Sequence, residues 1–200
     1  WLERIPAGEG YQQQERDELL LAVYGKQGNK QQQAEVARRS FRRQRSRSGF
    51  ERWISIVDEN QRNELLNQEV RIILDSPLLS LTDAAFLVEM EQWDAAESYL
   101  QTRVEQLNGD HYQYLLPLAE TLESLARPLT ASLLYRALLD SILSRARTTT
   151  YGHGARYLRK LDLLTKTVSD WGNIEPHAVY VEQLRQKHGR KSSFWSRYER

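Results

Sequence analysis

The sequence predicts an all-α fold, a stack of antiparallel helix pairs running as an α-solenoid and closed by a C-terminal capping helix. Three observations point there. No stretch alternates β-branched and polar residues between turn signals, and only five prolines and ten glycines interrupt 200 residues. Apolar residues recur at helical spacing nearly everywhere. The better-formed helix pairs also repeat with an offset of 35 residues.

Taken in order, a first helix is expected from Gln12 to Tyr24, with Leu19, Leu20, Val23 and Tyr24 on its apolar side and Gly25 and Gly28-Asn29 breaking it. A second runs from Gln31 to Arg43 and carries Ala34, Ala37 and Phe41. Ser46 to Gly49 reads as a turn, Phe50, Trp53, Ile54 and Val57 mark a short helix, and another spans Gln61 to Leu74. Asp75-Ser76-Pro77 is a stop. Thr82 is the expected N-cap of a helix bearing Ala84, Ala85, Leu87 and Val88, and Trp93 to Leu107 is its partner. Asn108-Gly109-Asp110 signals a turn. Leu115, Leu118, Ala119 and Leu122 line the next helix, with Pro117 in its first turn or kinking it. Its partner starts at Arg127-Pro128 and carries Ala131, Leu134, Tyr135 and Leu138. Helices near Tyr151–Ser169 and Glu175–His188 and a short aromatic tail complete the chain.

A tetratricopeptide repeat is a helix pair of about 34 residues with small or apolar residues at set positions. With Ala131 at the small position of the second helix, Leu115, Leu118, Ala119, Leu122, Tyr135 and Leu138 fill the other six. With Ala96 there, Ala84, Leu87 and Leu100 match while Ser80, Asp83 and Arg103 do not. A degenerate copy holds Leu21, Tyr24, Gly25, Ala37 and Phe41. Small residues let paired helices approach closely, and since one pair cannot bury its own apolar face, stacking is required. The expected organisation is thus one helical-repeat domain over 1–200. Within it lie a degenerate first pair at 11–48, a short pair at 50–75, two better-formed repeats at 79–147, and C-terminal helices with an aromatic cap at 150–200.

The bulk properties fit a soluble protein, with 40% hydrophobic and 28% charged residues. No window approaches a membrane span, and the absence of cysteine excludes disulfides and suits the cytoplasm. The start, Trp1-Leu2-Glu3-Arg4, has no initiator Met and no signal-peptide layout, and reads as a fragment whose earlier part is missing. Net charge is +1, but it is segregated: residues 1–50 carry 10 basic and 6 acidic side chains, 51–105 carry 4 and 12, and 106–200 carry 14 and 9.

Catalytic motifs are missing. There is no phosphate-binding glycine loop and no His-Glu-x-x-His. His111, His153, His177 and His188 lack helical pairing, and Glu89 and Glu91, two residues apart, would point to different sides of a helix. No cofactor, metal or catalytic residue is expected. Two basic features remain. Arg38, Arg42 and Arg45 form one helical stripe with Arg39 and Arg43 beside it, a density of like charge that needs acidic neighbours or an anionic ligand. At the tail, Gly189 reads as a left-handed residue ending the last long helix. Phe194, Trp195 and Tyr198 would then fold back over Val179, Val181 and Leu184 as the terminal cap that a repeat array needs. Alternatively, Arg190, Lys191 and Trp195 grip a phosphate and a base.

Several strings carry a resemblance: Leu133-Leu134-Tyr135-Arg136-Ala137-Leu138, Ser144-Arg145-Ala146-Arg147, Tyr151-Gly152-His153-Gly154-Ala155-Arg156-Tyr157-Leu158, His188-Gly189-Arg190-Lys191 and Phe194-Trp195. Over about residues 20–198 the chain resembles the C-terminal part of a bacterial family of unknown function, whose helical repeats are similar to those found behind SWIM-type zinc fingers. The resemblance implies an α-helical repeat fold, no established activity and an N-terminal region beyond this chain. It carries no metal role, because a SWIM zinc site needs cysteine.

The expected function is a non-catalytic scaffold for an unknown protein partner. Nucleic-acid association through phosphates, or structural support and oligomerisation of a missing N-terminal part, are the alternatives. The candidate surface comprises Arg38, Arg39, Arg42, Arg43, Arg156, His188, Arg190, Lys191 and Trp195.

Overall fold

The computed structural model describes residues 11–200; Trp1, on which the expectation of a fragment rests, lies outside them. The described residues form α-helices joined by turns, short 3-10 helices and one longer loop at 165–176, without a β-strand. No helix among them is long and apolar enough to cross a membrane. They divide into two compact units, one ending at Ala96 and the other starting at Glu97.

The first unit holds α1 (Tyr11–Lys26), α2 (Lys30–Arg43), α3 (Arg47–Val57), α4 (Arg62–Asp75), α5 (Leu81–Glu89) and the start of α6 (Trp93–Gln101). Gly25 lies inside α1; the break comes at Gly28, whose φ of 68° suits glycine. Asn29 then caps α2 by accepting the Gln32 N–H at 3.3 Å. The inward stripe of α1 is Gln13, Asp17, Leu20, Leu21 and Tyr24, whereas Leu19 is 51% exposed and Val23 is also exposed. Because two polar residues face inward, a stripe drawn from apolar residues alone is rotated about the helix axis. Ser46 to Gly49 is the beginning of α3, with Ser46 Oγ accepting the Gly49 N–H at 3.2 Å. Ser80 caps α5 in place of Thr82, its Oγ accepting the Asp83 N–H at 3.2 Å.

An aromatic cluster closes this core. Phe41 of α2 lies 5.6 Å from Phe50, 5.9 Å from Trp53 and 5.2 Å from Phe86 between ring centroids. Offset and edge-on pairs of this kind add about 0.5–1.5 kcal/mol each beyond the area they bury.

The second unit holds the end of α6, then α7 (Tyr112–Ser124), α8 (Pro128–Ser144), α9 (Tyr151–Leu164), α10 (His177–His188) and α11 (Ser192–Tyr198). Helix α6 stops at Gln101, not Leu107, and a 3-10 turn follows at Val104–Gln106. Pro117 sits inside α7, in its second turn, which excludes the first-turn placement of the two expected for it. Pro128 occupies the first turn of α8, where a missing N–H costs nothing. α8 packs between α7 and α9 and is buried almost all round, from Thr130 to Arg136 and at Leu138, Leu139 and Leu143. A 3-10 turn, Gly109–His111, lies against it: a Cβ on Gly109 would sit 2.0 Å from the Ala137 carbonyl oxygen, so only glycine fits.

Two turns share one geometry. Glu91 and Ala126 both adopt positive φ, 60° and 56°. Gln92 donates to the Leu87 carbonyl and Arg127 to the Leu122 carbonyl, while Glu91 and Ala126 bond back to Val88 and Glu123. These are Schellman motifs, built 35 residues apart on non-glycine residues. Glu89 therefore ends a helix and Glu91 belongs to a turn.

α9 stops at Leu164 instead of Ser169, and α10 begins after Pro176, whose extended backbone sets the boundary. Gly189 is not left-handed: its φ and ψ are −56° and −29°, and glycine is needed because a Cβ would stand 2.6 Å from the Arg185 carbonyl oxygen. The tail meets the end of α10, where Trp195 lies against Arg185 and His188, but is seated mainly on α9. α11 packs on α9, with Phe194 fully buried 5.9 Å from Tyr151, while Val179 stays exposed. Gly154 makes room for this, since a Cβ there would lie 3.2 Å from both Leu139 and Phe194.

Candidate functional site

The arginine stripe is built into the first unit as a comb. Arg42 donates through Nε and Nη2 to Glu69 Oε1 at 2.9 and 2.5 Å. Arg45 reaches Glu69 at 3.4 Å and Asp83 at 3.0 Å, and Arg38 lies 3.9 Å from Glu69. On the other side Arg39, at 2.8 Å, and Arg43 pair with Asp17. Glu69 and Asp17 are both fully buried. A buried carboxylate is tolerated only when paired and hydrogen-bonded, so these cations complete the fold of α1, α2 and α4. Burial alone would raise the Asp17 pKa, but hydrogen bonds from Arg43 and Arg39 outweigh it and hold the carboxyl below the ordinary aspartate range.

The remaining basic candidates are scattered over the second unit. Trp195 is buried, its indole N–H donates to the His188 carbonyl at 3.0 Å, and the Arg185 guanidinium covers its ring at 4.4 Å. The ring therefore cannot stack on a base. His188 is buried as well, and desolvation lowers its pKa. Arg190 is exposed and Lys191 partly so. Arg156 is exposed on α9 and hydrogen-bonds His153 at 2.6 Å. Among the described residues no three His, Asp or Glu side chains meet to hold a metal ion.

A different constellation occupies the second unit. A recess of about 610 Å³ opens between the 3-10 turn at Gly109–His111, α8, and the loop leading into α10. Val104, Leu107, Leu133, Ala137 and Ile174 form its apolar wall. Asp140, Glu175 and Tyr180 supply its polar side, and a salt bridge between Asp110 and Arg145 lies at it. Asp140 is open to solvent yet crowded by protein; burial raises its pKa despite the hydrogen bond that the Tyr180 hydroxyl donates to it at 2.9 Å. Burial also pushes the Tyr180 hydroxyl well above its ordinary value.

Arg136 stands behind these groups. It is 7% exposed, and its guanidinium lies between the rings of Trp171 and Tyr180, 4.8 and 4.5 Å from their centroids. Nη1 donates to the Glu175 carbonyl at 2.7 Å, while Nε and Nη2 are buried without a hydrogen-bond partner among the described residues. Desolvation lowers its pKa.

A family model covers residues 7–197, that of a family of unknown function, DUF6880. The chain belongs to DUF6880. No curated protein and no solved structure matches it. Membership of DUF6880 thus assigns no activity, and the geometry of the two units has to carry the reading.

Local spacing does not connect Asp140 with Glu175 and Tyr180, which lie 35 and 40 residues further along the chain. One signal was present. Arg136 interrupts the run Leu133-Leu134-Tyr135-Arg136-Ala137-Leu138-Leu139, and a cation inside a buried apolar helix needs local compensation.

Proposed function

We propose that this chain is a non-catalytic, tetratricopeptide-like helical-repeat scaffold, an α-solenoid that docks a polypeptide partner, with the recess beside Asp140 as the seat. The carrying observation is that recess: an apolar wall facing two carboxylates is the composition that receives a side chain from another polypeptide. The repeat reading is supported by the burial of Leu115, Leu118, Ala119, Leu122, Ala131, Tyr135 and Leu138, and by the matched turns at Glu91 and Ala126. The competing nucleic-acid reading would draw on Arg38, Arg39, Arg42 and Arg43, which already neutralise Glu69 and Asp17.

The test pairs two measurements on the purified chain. Selection from a random-peptide display library is expected to enrich a defined motif that binds with micromolar affinity. Fluorescence anisotropy with single- and double-stranded oligonucleotides is expected to show no binding even at low salt. The reverse pattern would overturn the proposal: no enriched peptide, and oligonucleotide binding that falls steeply with salt and weakens in Arg42→Ala plus Arg43→Ala.

A further inference from the structure

The recess beside Asp140 contains two carboxylates with no cation within salt-bridge distance among the described residues. Asp140 has one oxygen engaged by the Tyr180 hydroxyl, and Glu175 has one oxygen engaged by the Gln183 side-chain amide. Each keeps a second oxygen for which no hydrogen bond forms among the described residues. The other ion pair at the recess, Asp110 with Arg145, is closed on itself, and Ser141 donates to Asp110 at 2.6 Å. Arg136 also lies at the recess, but its guanidinium is buried between two rings and spends Nη1 on a backbone carbonyl. Asn108, Ser144 and Asn173 add neutral polar groups. The charged groups at the recess that lack an ion-pair partner among the described residues and can be reached are therefore the carboxylates of Asp140 and Glu175, with an apolar wall facing them.

A lysine or arginine side chain has the matching build: a methylene stem that buries along apolar surface and a charged head rich in donors. We infer that this recess takes the protonated side chain of a lysine or arginine from a partner polypeptide, its stem along Val104, Leu107 and Leu133 and its head at Asp140 and Glu175. The inference rests on the docking function proposed above and names the chemistry of the partner. Two cations already act on Asp140, Lys187 and Arg136, and both favour its ionised form; burial nonetheless keeps its pKa raised. An arriving cation would add to their effect and favour the ionised carboxylate further. The same two carboxylates repel a phosphate, so the recess selects a basic polypeptide over a nucleic acid.

The experiment is a titration of the 15N-labelled full chain, followed by amide chemical shifts. The probes are acetyl-Gly-Lys-Gly-amide, acetyl-Gly-Arg-Gly-amide, the uncharged acetyl-Gly-norleucine-Gly-amide, and putrescine. A basic tripeptide is expected to shift the amides of Asp140, Asn173, Glu175 and Tyr180, and the norleucine peptide to leave them in place. Raising ionic strength from about 0.01 M to about 0.1 M shortens the screening length about threefold and is expected to weaken binding several-fold. The double variant Asp140→Asn/Glu175→Gln, checked for unchanged helical circular dichroism, is expected to lose at least about tenfold in affinity, the scale of one charge-assisted contact. Equal shifts with norleucine, shifts confined to another surface, or an unaffected double variant would each overturn the inference. Putrescine binding as tightly as the peptides would overturn its assignment to a polypeptide. The two proposals fail separately: display peptides that bind in the recess without needing a lysine or arginine sink only this one, whereas no enriched peptide together with salt-dependent oligonucleotide binding sinks the scaffold reading.

Discussion

Arg42 grips Glu69 through both edges of its guanidinium fork, with Nε at 2.9 and 3.1 Å from the two carboxylate oxygens and Nη2 at 2.5 Å from one. Glu69 is fully buried on α4, and Arg38 of α2 and Arg45, just past the end of α2, reach the same group. A cluster of like charges on one helix is thereby turned into the tie between two helices.

Removing the anion leaves cations stranded. Glu69→Gln is expected to destabilise the chain by about 3–5 kcal/mol, the range for breaking one side of a buried ion pair. Urea denaturation followed by circular dichroism measures it, and a loss below about 1 kcal/mol would mean that the pair is energetically like a surface bridge.

Asp17 gives the pH dependence a sign. Its pKa in the folded chain is lowered from the ordinary 3.8 because hydrogen bonds from Arg43 and Arg39 outweigh burial. A depressed carboxyl contributes stability above its unfolded pKa and loses it as pH falls through the folded value. Stability is therefore expected to fall as pH drops below about 4, and Asp17→Asn should flatten that slope. An unchanged acid limb in the variant would remove Asp17 from the account.

Gly109 has no room for a side chain. Gly109→Ala forces the 3-10 turn off α8, because the new methyl would overlap the Ala137 carbonyl. The expected cost is about 1–3 kcal/mol, the scale of overpacking. The displaced turn should also shift amide resonances at Asp110 and Ser141, which a purely local strain would leave in place.

Ala126 ends α7 in the left-handed region. A side chain there costs about 1–2 kcal/mol, partly offset by the extra chain entropy of glycine, so Ala126→Gly is expected to stabilise by up to about 1 kcal/mol. Thermal melts of wild type and variant compare the two directly. A lower midpoint in the variant would show that the Ala126 methyl makes contacts worth more than the backbone strain.

The helical character was legible because it depends on local spacing, and the seven repeat positions around Ala131 are all buried. What sequence spacing could not give was which polar residues face inward. Asp83 counted against a repeat because a carboxylate stands at an apolar position; it is buried since Arg45 crosses from after α2 to meet it at 3.0 Å. Asp17 rotates the stripe of α1 for the same reason. Gly189 was misread because local rules associate a helix-ending glycine with positive φ, whereas a close carbonyl requires it here. The recess was invisible because Asp140 and Tyr180 become neighbours only when α10 packs on α8.

The enclosure of α8 bears on how the second unit opens in solution. Neighbouring helices can fray from their exposed faces, but α8 has almost no such face from Thr130 to Leu139. Its backbone amides are expected to exchange with deuterium only when the whole unit unfolds, so their slowest rates report the global free energy of that unit. The exposed Thr148–Thr150 turn that follows should exchange fastest, and the contrast makes this single chain its own clock for local against global opening.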